Sequence, residues 1–348
     1  MRPMTYQVTI KDSGRQFAVA QDEVVLDAAL GQDIGLPYGC QSGHCGACRA
    51  KLLSGSIRYE SKPEALSETE LRQGYALLCQ ARAQSDLLIQ VEELPDHHAI
   101  RVRNLPARVA RKELLSHDVM ALFLELPKGG PFEFLAGQYV DILLPDGRRR
   151  SFSIANPPGV DNRIELHLRH VPHGQFTDYV FNQMPEKALL RIEGPLGSFY
   201  LRESDRPAVF MAGGTGFAPI KGMLEHAFAR RLSRPMHLYC GVRARRDLYM
   251  QELARSWQRS HPNFRYTAVL SEPLAEDQWQ GETGLVHEAV AAEYPDLSAV
   301  EVYMSGPPVM IQAAKARFTQ QGLLLENLHY DSFDYAYVTW PGKELPTR

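Results

Sequence analysis

The chain has 348 residues, with 38 Lys and Arg against 41 Asp and Glu, a formal net charge of −3 and a pI near 6.5. So balanced a charge gives no basis for nucleic-acid binding, and no apolar run approaches the ~20 residues needed to span a bilayer. The length suits two or three domains, each able to bury a core. Met1-Arg-Pro-Met-Thr-Tyr6 leads straight into strand-like alternation with no visible export signal. The five cysteines are therefore read as reduced and the chain as cytoplasmic.

The first segment is expected to run over residues 1–94. Residues 6–10 and 16–19 read as strands around an Asp12-Ser13-Gly14 turn, and 24–30 carries apolar residues at helical spacing. Tyr38-Gly-Cys-Gln-Ser-Gly-His-Cys-Gly-Ala-Cys48 follows, with Cys40, Cys45 and Cys48 in a C-x4-C-x2-C pattern and Cys79 after thirty intervening residues. That is the plant-type spacing for four thiolates on a [2Fe–2S] cluster. Gly39, Gly43 and Gly46 let the loop curl tightly, so that backbone N–H groups can point at the sulfurs. Zinc would ask for a second C-x2-C pair, and disulfides suit a small secreted chain. Strands are expected at 49–53 and 87–91, and the apolar Gly74-Tyr-Ala-Leu-Leu-Cys79 can return the fourth ligand to the loop. This order resembles the β-grasp fold of plant-type ferredoxins. The fifth cysteine, Cys240, reads as a buried, inert thiol.

Residues 95–104 read as a polar linker, with His97 and His98 solvated for want of a third metal ligand. From 105 to 204 short strands recur at 119–126, 138–144, 149–154 and 164–170, the pattern of an antiparallel β-barrel, and one helix is expected from Gln175. From 205 to 335 strands (207–212, 236–239, 264–270, 300–304) alternate with helices (217–231, 248–258, 309–321), which predicts a doubly wound parallel sheet. The fold class is thus multidomain, α+β and α/β. The tail at 336–348 shows little patterning.

Three motifs carry chemistry. In Arg150-Ser-Phe-Ser153, the Arg150 fork suits a phosphate. Phe152, on the same strand face, can stack on a flat ring, and Ser153 can bond a ring nitrogen; such triplets also occur on plain exposed strands. Gly174-Gln-Phe-Thr177 opens a helix whose N-terminus favours a phosphate or pyrophosphate, or is simply capped. Arg169, just upstream, adds a cation. Ala212-Gly-Gly-Thr-Gly-Phe-Ala-Pro219 lies between strand and helix. There the backbone could approach a dinucleotide closely, or could merely turn.

The order of the cysteines, these motifs and Tyr303-Met-Ser-Gly-Pro-Pro308 resembles the ferredoxin–NADP⁺ reductase superfamily with an N-terminal ferredoxin domain, over about residues 5–333. Within it, Leu36-Pro-Tyr-Gly-Cys40, Ala136-Gly-Gln-Tyr-Val-Asp-Ile-Leu-Leu144 and Asp247-Leu-Tyr-Met250 are similar to the CDP-6-deoxy-Δ3,4-glucoseen reductase group. The resemblance implies three parts: a [2Fe–2S] domain at 1–94, an FAD-binding barrel at 105–204 and an NAD-binding domain at 205–335. It implies electron flow from NADH through FAD and the cluster to a partner protein, a CDP-deoxysugar dehydrase or, alternatively, an oxygenase. A non-enzymatic redox sensor is the remaining reading, and the intact flavin and nucleotide motifs argue against it.

Carried over by motif, Arg150 would bind a flavin phosphate within the tetrapeptide that includes Ser151. Phe152 would flank the isoalloxazine and Ser153 approach flavin N5. Arg169, Gly174 and Thr177 match the FAD pyrophosphate region. Gly213, Gly214, Thr215 and Gly216 would line the NAD pyrophosphate. Ser305 stands where the family usually has Cys, beside the nicotinamide, and Phe333 matches a stretch that can lie near the flavin. Glu272, after Ser271, occupies the position where NADPH-using relatives tend to place Arg; a carboxylate repels a 2′-phosphate and can accept from ribose hydroxyls. NADH is therefore expected, with Arg243, Arg245 and Arg246 as the counter-indication.

Overall fold

The computed structural model describes residues 4–94, 100–128, 131–159 and 162–333. His97, His98 and the tail at 336–348 lie outside the described residues.

The N-terminal unit is a five-stranded sheet in the order Gln16–Ala20, Thr5–Ile10, Leu87–Gln90, Arg49–Ser54, Tyr75–Leu77. Alternation places Val8, Ile10, Phe17, Val19, Leu87 and Ile89 inward, all buried. Helix Val25–Gly31 covers that face through Val25, Leu26, Ala28 and Ala29. A short helix, Glu68–Arg72, was not expected. Its signal is present in Ser67-Glu-Thr-Glu70, where Ser67 and Glu70 form a capping box.

The second unit is a six-stranded antiparallel sheet, Arg149–Ser153, Tyr139–Leu143, Leu189–Leu196, Arg103–Leu114, Val119–Glu125, Arg163–Arg169. An Ile154–Leu166 bridge joins its two ends and closes the barrel. Strand Arg103–Leu114 starts inside the expected linker, where Arg103 and Asn104 pair with Gly194 and Glu193. Its sequence hides the strand because only Ala107 and Val109 are fully buried, with Leu105 partly so, while the outer face is polar. Leu189–Leu196 escaped notice for a similar reason: Leu189 is exposed, and Gly194-Pro195 interrupts the pattern.

The third unit is a six-stranded parallel sheet, Glu282–Thr283, Phe264–Leu270, Met236–Val242, Ala208–Gly213, Glu301–Gly306, Leu328–Ser332. Helices Phe217–Ala229, Gln251–Ser260, Val286–Glu293 and Pro308–Gln320 pack on it. Strand Ala208–Gly213 lies between Met236–Val242 and Glu301–Gly306, so the winding reverses at its C-terminal end. A doubly wound sheet opens a ligand crevice at that point. No described helix is long and apolar enough to cross a membrane.

Candidate functional site

The cysteine loop is held by its own backbone. Cys40 Sγ accepts from the N–H groups of Ser42 (3.4 Å) and Cys45 (3.3 Å), and Cys45 Sγ accepts from those of Cys40 and Ala47 (each 3.4 Å). A Cβ on Gly39 would sit 3.2 Å from Cys45 Sγ, so only glycine admits this curl comfortably. None of the four cysteines is in a disulfide. They form two hydrogen-bonded pairs, Cys40 with Cys45 and Cys48 with Cys79. Hydrogen bonding from its partner pulls the Cys40 thiol down to about 4, and Cys79 is lowered by Cys48 in the same way. Each pair therefore holds one thiolate readily. Among the described residues no three His, Cys, Asp or Glu side chains converge on a single ion. Two thiol pairs lined by N–H donors fit a two-iron cluster better than one tetrahedral zinc.

On the barrel, three consecutive arginines are sorted by their partners. Arg148 pairs with Asp146 (2.5 Å) and Arg149 with Glu193. Arg150 donates only to the Arg149 carbonyl (2.8 Å) and has no carboxylate partner among the described residues. A half-buried guanidinium without a counter-ion suits an anionic ligand. Ser151 is committed to Asp141 (2.6 Å), whereas Phe152 packs on Phe176, ring centroids 5.8 Å apart. Gly174 and Thr177 close one turn: Thr177 Oγ1 donates to the Gly174 carbonyl (3.0 Å) and accepts from Val171 N (3.2 Å). Arg169 ends strand Arg163–Arg169, just before that turn. Its Nε donates to Asp118 (2.6 Å), and its Nη1 would be 3.0 Å from a Cβ on Gly214.

The glycine-rich turn follows strand Ala208–Gly213 and opens helix Phe217–Ala229. A Cβ on Gly216 would lie 2.0 Å from the Ser305 carbonyl, so a side chain there would drive the two strand ends apart. Ser305 is fully buried, and its hydroxyl finds no hydrogen-bond partner among the described residues. Leaving such a group unpaired is costly, which makes it a ready contact for a polar ligand. Glu272 is exposed beyond strand Phe264–Leu270, its N–H bonded to Arg243 O at 2.8 Å. Arg245 is tied to Asp277.

The three units converge here. Tyr38 and Ser198 exchange three hydrogen bonds of 2.8–3.0 Å. Tyr139, the cross-strand partner of Ser153, donates to the Gly39 carbonyl at 2.9 Å. Ser153 donates to Asp331 at 3.4 Å, and Asp331 Oδ1 would be 3.9 Å from a Cβ on Gly39. Phe333 N–H bonds to the Gly306 carbonyl at 3.3 Å. Sequence reading missed Tyr139 and Ser198 as site residues, and gave Asp331 only as the start of the stretch ending at Phe333. Tyr38 and Ser198 lie 160 positions apart, and no local pattern marks such a contact.

Comparison with known proteins bears on this geometry. Residues 8–84 match the 2Fe-2S iron-sulfur cluster binding domain, 106–200 the oxidoreductase FAD-binding domain and 210–316 the oxidoreductase NAD-binding domain. Together with the site, these define an oxidoreductase that moves electrons between NADH, FAD and a [2Fe–2S] cluster. The chain is 39% identical to the CDP-6-deoxy-L-threo-D-glycero-4-hexulose-3-dehydrase reductase of Yersinia pestis, over 95% of this chain and 99% of that one. It is 38% identical to the phenol hydroxylase P5 protein of Acinetobacter pittii, over 95% of each. The crystal structure of the Amycolatopsis cytochrome P450 reductase GcoB superposes with a TM-score of 0.76 at 31% identity, covering 94% of this chain and 98% of that one. The chain belongs to the ferredoxin reductase family of iron–sulfur flavoproteins.

Proposed function

We propose that this reductase delivers single electrons to a partner dehydrase acting on a CDP-linked deoxysugar, with Cys40, Cys45, Cys48 and Cys79 as the cluster ligands. The likeness to the Yersinia pestis dehydrase reductase supports the partner class, and the junction of the units supports the route from flavin to cluster. Tyr139 pairs across strands with Ser153 and donates to the Gly39 carbonyl, and Ser153 donates to Asp331. When bound, FAD supplies the exchange between a two-electron hydride and single electrons. The chain's own residues bind and orient. Arg150 holds a flavin phosphate, Phe152 flanks the ring and Ser153 faces its N5 edge. Gly174 and Thr177 shape the turn beside the FAD pyrophosphate. Gly213–Gly216 receive the nucleotide pyrophosphate, the Ser305 hydroxyl meets the nicotinamide, and Glu272 accepts from ribose hydroxyls and disfavours a 2′-phosphate. Arg169, held by Asp118 against Gly214, serves the nucleotide side of the crevice as well as the flavin side. The cytoplasm, where thiols stay reduced, is the fitting compartment.

A second reading, service to an oxygenase, rests on the nearly equal likeness to the phenol hydroxylase protein, at 38%, and on the lesser likeness to the P450 reductase, at 31%. Reconstitution separates the two. NADH oxidation by the purified chain is measured with a CDP-6-deoxyhexulose dehydrase or with an oxygenase terminal component as acceptor. The first reading requires coupled turnover with the dehydrase; turnover with the oxygenase alone would replace it.

A further inference from the structure

A buried ionic network joins the flavin barrel to the nucleotide domain. Lys221, one turn into the helix that follows Gly213–Gly216, is 4% exposed. Its ammonium donates to Glu165 (3.0 Å), Glu225 (3.1 Å) and the carbonyl of Ala155 (3.1 Å). Ala155 lies two residues beyond Ser153, and its N–H bonds to the Glu165 carbonyl at 2.7 Å. Glu165 also pairs with His167 (2.8 Å), whose other ring nitrogen meets the Tyr249 hydroxyl of the nucleotide domain (3.1 Å). The next helical residue, Gly222, packs so closely that a Cβ would be 3.0 Å from Ile154 O and 3.2 Å from Asn156 O.

This arrangement is expensive if stability is its only purpose. Burying a lysine and a carboxylate costs several kcal/mol per ion, and an apolar pair of similar volume is often as stable. What ions and oriented hydrogen bonds add is a fixed register. Burial opposes the charge on Glu165, yet His167 and Lys221 outweigh it and hold its pKa below the usual carboxylate range. Burial keeps His167 neutral. Glu165 therefore stays ionised beside the Lys221 ammonium.

We propose that Lys221 is a positioning residue for hydride transfer: it fixes the Gly213–Gly216 turn against the Arg150–Ser153 strand end, and so sets the approach of nicotinamide to flavin. The inference rests on the assignment of those two motifs to nucleotide and flavin. Lys221 touches neither reacting ring. Its effect is geometric, and a misplacement of about 1 Å can cost on the order of a hundredfold in rate.

The test uses the full-length holoprotein with Lys221→Met and the double variant Lys221→Met/Glu165→Gln, which removes the two buried charges and leaves Glu225, whose side chain is 25% exposed, to water. FAD content, melting temperature, NADH dissociation constant, flavin reduction rate at saturating NADH and the long-wavelength absorbance of the flavin–nicotinamide stack are recorded. Amide exchange at 213–222 is followed without nucleotide. The expected result is full FAD content, a dissociation constant within about threefold of the parent, faster exchange at 213–222, a weakened long-wavelength band and flavin reduction slowed roughly ten- to hundredfold. A double variant with parental rate and band overturns the proposal. So does a rate loss that merely tracks lost FAD or a lowered melting temperature, which would make Lys221 a stability residue. Failure of the parent protein itself to bind FAD or NADH would instead reject the underlying motif assignment.

Discussion

The phenol of Tyr139 donates to the carbonyl of Gly39 at 2.9 Å, tying the barrel strand opposite Ser153 to the residue that precedes Cys40. Together with the Tyr38–Ser198 bonds, this fixes the cysteine loop at the flavin motif. A net hydrogen bond is worth about 1 kcal/mol, or roughly fivefold in the docked population. Tyr139→Phe and Ser198→Ala should therefore each slow flavin-to-cluster transfer by about fivefold, and together by more than tenfold. Flavin reduction by NADH should stay unchanged. Rapid-mixing absorbance separates the two steps, and equal slowing of both would refute this role.

Arg150 lacks a carboxylate partner, whereas Arg148 and Arg149 are neutralised. Loss of a charge-assisted contact costs about 1.5–3 kcal/mol. Arg150→Ala should weaken FAD retention on the order of ten- to a hundredfold, while Arg149→Ala leaves it nearly intact. Fluorescence of released FAD during dialysis provides the measurement, and equal retention in both variants would count against the assignment.

Glu272 is exposed, and its backbone is anchored to Arg243. The parent should show the higher kcat/KM with NADH, and Glu272→Arg should raise the NADPH/NADH ratio at least tenfold. An unmoved ratio would return the choice of nucleotide to Arg243 and Arg246.

The half-buried His329 ring lies 4.8 Å from the Tyr303 ring at a 34° tilt, and burial depresses its pKa to about 4. Its folded pKa lies below the unfolded value near 6.5. The unfolded chain thus binds the extra proton between pH 6.5 and 4, and stability falls as pH drops through that window. At pH 5 the loss from this residue is roughly 2 kcal/mol. Thermal melts from pH 7 to 5 should show a declining midpoint, and His329→Gln should flatten that decline. An identical slope in the variant would show that His329 does not contribute.

Much of this was legible in the sequence because local chemistry carried it. The cysteine spacing specified a loop of cluster thiolates, the strand at 149–154 showed in its own residues, and the order at 212–219 announced a strand, a tight turn and a helix. What stayed hidden depends on non-local pairing. Strand Arg103–Leu114 is polar outside and is defined by its neighbours at 189–196. Strand Leu328–Ser332 gained its identity from pairing beside Glu301–Gly306, which carries Asp331 to Ser153. Helix Val286–Glu293 was overlooked as well. Nothing in the local sequence marks Lys221; only the fold places Glu165 and the Ala155 carbonyl around it.

The central claim is that electrons reach the cluster only through the flavin. Anaerobic rapid mixing of the full-length protein with NADH, with the cluster followed by freeze-quench EPR, tests it directly when FAD-loaded and FAD-stripped samples are compared. The account predicts a rhombic EPR signal that follows flavin bleaching in the loaded protein and no signal in the stripped protein until FAD is restored. Cluster reduction by NADH at the same rate without FAD would contradict it.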